Sequence, residues 1–182
     1  MSPFTSPREK RLWIWAFLAF GAIYGSLFMG QPLAEQLRNQ NVQAVIFVSG
    51  MVLASIAILI HGLHTKPGKL ELSILIGVFA VYAMLFFRLG APERSHLIEY
   101  SVLAIFLHKA LQERAKSKKL GLPPALMAIV LGIAIGTLDE FIQVFLPNRV
   151  FDPVDIIFNC IAVTMAIAIG TILTWAKKHY SR

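Results

Sequence analysis

Six mostly apolar stretches, Leu12–Met29, Val42–Ile60, Leu72–Phe87, His96–Leu111, Leu122–Leu138 and Ile156–Trp175, govern what this chain can fold into. A helix of roughly 20 apolar residues matches the thickness of a bilayer's hydrocarbon core. Inside that core each segment must satisfy its own backbone hydrogen bonds, which leaves helices or closed barrels as the spanning structures. Runs of this length fit helices, so the expected fold is all-α: a polytopic transmembrane helical bundle of about six spans. The fourth stretch carries Glu99 near its start. The fifth begins at Pro123 and Pro124, where proline suits a first helical turn. It continues past Leu138 into a mixed segment, Asp139–Phe145, suited to an interface.

Charge supports this reading. The chain is 57% hydrophobic and 15% charged, against roughly 45–50% and about 25% in soluble domains. Its formal charge of +7 could suit nucleic acid, but the basic residues fall in short clusters between apolar runs, so no nucleic-acid partner is expected. Arg8, Lys10, Arg11, Lys66, Lys69, Lys109, Arg114, Lys116, Lys118, Lys119, Lys177, Lys178 and Arg182 mark one side; Arg38, Arg88, Arg94 and Arg149 mark the other. The positive-inside rule then places both termini in the cytoplasm. The first stretch is longer than a signal-peptide core and more membrane follows it, so it is read as a retained span. The single cysteine, Cys160, lies in an apolar run and reads as an inert thiol.

Three polar groups need explanation, because a charged side chain in a span costs about 2.5–3.5 kcal/mol at the bilayer centre and less toward its edges. All three map to the outer side. His96, Glu99 and Tyr100 share a helical face at i, i+3 and i+4; His96 and Glu99 suit an acid–base pair, while Ser95 suits an N-cap. Asp139, Glu140 and Gln143 end the fifth stretch, where acids oppose the helix dipole; the plain alternative is a solvated helix end. Asp152 and Pro153 read as N-cap and first residue of the last helix. Asp155 and Asn159 continue one face from Asp152, with Arg149 just before. His61 and His64 have no further ligand-type residue to complete a set, and no metal site is assigned.

Arg94-x-His96-x-x-Glu99-Tyr100, Asp139-Glu140-x-x-Gln143 and Pro147-x-Arg149 with Asp152, Asp155 and Asn159 together resemble the VanZ-like family of bacterial membrane proteins. The resemblance covers about Leu72 to Trp175. It divides the chain into a two-span N-terminal addition (residues 1–69), a four-span domain (70–176) and a cytoplasmic tail (177–182). Two positions differ from the usual pattern: Asn148 stands where glycine is frequent, and Ala162 likewise. The resemblance implies a multi-pass protein of the bacterial cytoplasmic membrane, similar to proteins linked to resistance to the glycopeptide teicoplanin. It attaches no reaction and no cofactor.

Three readings of the outer residues stay open. In the first, His96, Glu99, Asp139 and Glu140 are catalytic, and Tyr100, Gln143, Arg149, Asp152, Asp155 and Asn159 bind a lipid-linked or cell-wall precursor. A carboxylate-rich oxygen site of this kind can also hold a hard cation such as magnesium or calcium. In the second, the same residues form a vestibule for a lipid headgroup, an ion or a glycopeptide. In the third, they are a structural salt-bridge cluster.

Overall fold

The computed structural model describes residues 3–28, 68–88, 91–146 and 150–180. Its helices are α1 (Pro7–Phe28), α2 (Lys69–Arg88), α3 (Ala91–Ala115), α4 (Pro124–Gln143) and α5 (Pro153–Tyr180). Three contain segments long and apolar enough to cross a membrane: Pro7–Phe28, Pro124–Gln143 and Pro153–Ala176. The expected second span, with Arg38, His61 and His64, lies outside the described residues, as do Pro147, Asn148 and Arg149.

Local chemistry sets the helix ends. Ser6 and Glu9 act as a capping pair at the start of α1: the Glu9 amide donates to Ser6 Oγ at 3.0 Å, and Pro7 occupies the first helical position, where a missing N–H costs nothing. The Glu9 carboxylate accepts from the Thr5 amide and hydroxyl, each at 2.6 Å. Helix α4 starts at Pro124 as expected. Helix α5 starts with the Val154 amide donating to Asp152 Oδ1 at 2.8 Å, the side-chain cap anticipated from the sequence. At α3 the expectation fails. The helix begins at Ala91, so Ser95 lies inside it and is not its cap; Pro92 is compatible with the first turn and lets the helix start earlier.

Helix α3 lies at the centre, packed against α1, α4 and α5, and α2 packs against α5. The core is built from small and aliphatic side chains, including Ala16, Ile23, Leu103, Ala104, Leu107, Ala128, Val163 and Ile167. Large apolar side chains such as Phe17 (65% exposed), Phe79 and Ile157 point outward. That distribution suits a lipid-facing surface, where outward apolar groups cost nothing and helix contacts depend on close packing.

Close packing is most visible along α4. Ala128, Gly132, Gly136, Asp139, Glu140 and Gln143 form its buried face, at steps of three and four residues, apart from the adjacent pair Asp139 and Glu140. A Cβ added to Gly132 would meet Val163 at 2.8 Å, and one at Gly136 would meet Asn159 Cβ at 2.8 Å and Tyr100 Cε1 at 3.1 Å. The two glycines therefore let α4 approach α5 and α3 at the level where the polar residues begin.

Both ends of the bundle are pinned by polar contacts. At one end, Arg114 Nη1 of α3 donates to the fully buried Glu9 of α1 at 3.3 Å, and Arg8 and Lys116 both reach Glu113. At the other end are His96 of α3, Glu140 of α4 and Asn159 of α5. His96 to Arg114 covers about 27 Å along α3 at 1.5 Å per residue. Helix α3 thus runs from one polar end of the bundle to the other, with its polar Ser101 and His108 buried within the protein.

Candidate functional site

The site lies where α3 and α5 begin and α4 ends. The His96 ring is fixed first. Its Nδ1 is 3.0 Å from Asn159 Oδ1, and Asn159 Nδ2 donates to the Gly136 carbonyl at 3.4 Å. With the amide oriented in that way, Asn159 presents only an acceptor to the ring, so Nδ1 carries the proton. The other ring nitrogen faces carboxylates: Nε2 is 3.5 Å from Asp155 Oδ2 and 4.0 Å from Glu140 Oε1.

Glu140 is fully buried and held at both oxygens. Gln143 Nε2 donates to Oε1 at 2.9 Å, and the Asp152 amide donates to Oε2 at 3.4 Å. Asp139, next in sequence and 2% exposed, turns toward Tyr100 of α3 and Tyr24 of α1. The plain alternative for this group, a solvated helix end, does not hold at Asp139, Glu140 and Gln143, which are buried. The burial follows from Gly132 and Gly136, which draw this face of α4 into the bundle. Phe141, Val144 and Phe145 do face outward.

Helical geometry decides how His96, Glu99 and Tyr100 are used. Steps of three and four residues place Glu99 and Tyr100 on opposite flanks of His96, about 60° and 40° away. The inward flank is that of Tyr100, which is completely buried, with its ring 6.0 Å from the His96 ring and inclined by 16°. Glu99 is half-buried. It stands outside the group of His96, Asp139 and Glu140, whose potential ligand atoms all lie within 4.8 Å of one another. Asp155 is half-buried beside His96, and Asp152 is exposed. Arg149 lies outside the described residues.

Gly136 was not among the residues singled out from the sequence. It belongs to the site because its carbonyl accepts Asn159 and its lack of a side chain admits both Asn159 and Tyr100. The signal was present as Gly132-x-x-x-Gly136 within an apolar segment. Tyr24 was also passed over; its hydroxyl donates to the Ile135 carbonyl at 3.0 Å, tying α1 to α4 one turn before Asp139.

The model of the VanZ/LLP1 family matches residues 13–174, from α1 into the last helix. The chain belongs to the VanZ/LLP1 family. No curated protein and no solved structure is significantly similar to it. In this VanZ/LLP1 chain, the described residues that carried the resemblance come from three separate helices and, at Asp152, from the residue just before the last of them. Those within the described residues include His96, Glu140, Asp155 and Asn159, which meet around one imidazole ring. That ring has one nitrogen committed to a neutral amide and the other turned toward acids. Such an arrangement can exchange a proton or donate a lone pair at Nε2.

Proposed function

We propose that this is a six-span protein of the bacterial cytoplasmic membrane, with both termini inside. Its polar site faces outward and acts on the headgroup of a lipid-linked or cell-wall precursor. The orientation is supported by thirteen of the 17 basic residues falling on the side opposite the site. Span four is taken to cross fully, supported by the reach of α3 from His96 to Arg114.

One observation carries the functional reading: Nε2 of His96 is turned toward Asp155 and Glu140 while Nδ1 is committed to Asn159. A merely structural ion pair needs no such tautomer control. A proton-transfer group does, because the nitrogen that meets the substrate must be fixed. His96 is the proposed proton carrier. Glu140 and Asp155 lie beside its Nε2, and Asp139 and Glu99 are further candidate acid–base groups. Tyr100, Gln143, Asp152, Asn159 and Arg149 are proposed to shape and bind, with Arg149 suited to anchor a phosphate or carboxylate. Protection against teicoplanin is the corresponding proposed phenotype.

The test is a set of variants, His96→Gln, Glu99→Gln, Asp139→Asn, Glu140→Gln and Arg149→Gln, expressed in a susceptible bacterium. Membrane abundance and teicoplanin susceptibility are scored together. Normal abundance with lost protection supports the reading. Parallel loss of abundance at most positions replaces it with a structural cluster, and a wild type that gives no protection removes the drug phenotype.

A further inference from the structure

The carboxylate oxygens facing Nε2 of His96 are spaced more like ligands around an ion than like partners in hydrogen bonds. A charge-assisted bond from an imidazolium to a carboxylate is about 2.7–2.9 Å long, whereas Nε2 lies 3.5 Å from Asp155 and 4.0 Å from Glu140. Two ligands each about 2.1 Å from a zinc ion stand about 3.4 Å apart in a tetrahedron. The first separation matches that edge, and the second needs a modest side-chain adjustment.

We propose that His96, Asp139 and Glu140 bind a divalent cation of the zinc or manganese kind, with Asp155 as an additional oxygen donor. The proposal rests on the outer-site reading for the side from which the ion enters and revises it at His96, whose Nε2 cannot both bind the ion and carry the proton. Three features support it. One imidazole nitrogen and two carboxylates bring their donor atoms within 4.8 Å of one another. The outer supports usual for metal ligands are in place: Nδ1 of His96 is bonded to Asn159, and both oxygens of Glu140 are held. Finally, Asp139 is 2% exposed and lies beside the fully buried Tyr100 of α3, so the third donor is held inside the bundle next to the other two.

The donor set narrows the ion. Calcium takes six to eight oxygens and seldom a nitrogen. Imidazole favours zinc, and carboxylates accept manganese. The route in is short, since the His96 and Asp155 side chains are 12% and 15% exposed.

The full chain, purified in detergent and stripped with a chelator, is equilibrated with Zn²⁺ or Mn²⁺ and its metal content measured by mass spectrometry. About one equivalent per chain is expected, with affinity falling at least roughly tenfold in Asp139→Asn and Glu140→Gln. Pulsed electron paramagnetic resonance of the Mn²⁺-loaded wild type should show one directly bound nitrogen, lost in His96→Gln. This second readout decides the matter even where a carboxylate variant fails to fold. No stoichiometric uptake of either ion, or Mn²⁺ without nitrogen coupling, overturns the proposal. Metal bound by a protein whose variants still protect against teicoplanin upholds the ion site and sinks the drug reading. Protection lost in variants of a protein that takes up no ion does the reverse.

Discussion

Asn159 accepts a hydrogen bond from Nδ1 of His96 across 3.0 Å, joining α5 to α3 through a side chain buried to 99%. The amide also donates to the Gly136 carbonyl, so one residue ties three helices and sets the tautomer of the ring. Asn159→Ala removes both bonds. The proposed protection against teicoplanin should fall about 10–100-fold, the usual cost of losing an outer support, while Asn159→Asp keeps the acceptor and should retain more. Dose–response curves at matched membrane abundance check this; equal activity in Asn159→Ala and wild type would remove Asn159 from the mechanism.

Gly136 is a steric prediction. Gly136→Ala would bring a Cβ to 2.8 Å from Asn159 and 3.1 Å from Tyr100, so overpacking should cost about 1–3 kcal/mol. Gly21→Ala, with nothing within 4 Å, should cost nothing and gain a little helix propensity. Thermal unfolding in detergent separates the two.

Glu9 anchors the opposite end. Glu9→Ala strips the acceptor from Thr5 and Arg114 together, and the bundle should lose about 2 kcal/mol. Arg114→Lys should recover only part of the wild-type contact, because lysine offers a point charge at a different reach. Denaturation of each variant in the same micelle measures both.

Glu113 supplies a pH prediction outside the apolar part of α3. The Lys116 side chain, hydrogen-bonded at 2.6 Å, holds its carboxyl below the ordinary value of 4.5, with Arg8 nearby adding to the effect. A depressed carboxylate contributes stability that is present above its unfolded value and lost as pH falls through its folded value. The difference in Tm between wild type and Glu113→Gln should therefore persist at neutral pH and shrink below about pH 4.5. High salt should reduce it as well, because the pair is near the surface. A gap that widens in acid would reverse the assignment.

Orientation can be read by labelling. In a Cys160→Ser background, Val150→Cys should react with a membrane-impermeant maleimide on intact cells, and Ser117→Cys should react only after lysis. The opposite pattern would put the His96 site in the cytoplasm and end the outer-face reading.

The sequence by itself determined the helices that were described and much of their ends. The apolar run after Pro123 and Pro124 became α4, and Asp152 capped α5, because helix formation and capping depend on residues within a turn of one another. It also singled out His96, Asp139, Glu140, Gln143, Asp155 and Asn159, since polar groups in apolar surroundings are visible in one dimension. It did not reveal which groups would meet. His96 was paired with Glu99 along its own helix, whereas the tertiary structure turned its ring toward Asn159 and Asp155, about 60 residues away. Glu9 was not singled out from the sequence, and only the tertiary structure set Arg114, 105 residues on, beside it. Periodicity fixes a residue's angle around its own axis; the rotation and approach of neighbouring helices come only from packing. Here that packing was decided by Gly132 and Gly136, where the absence of two side chains brought α4 close and buried Asp139 and Glu140.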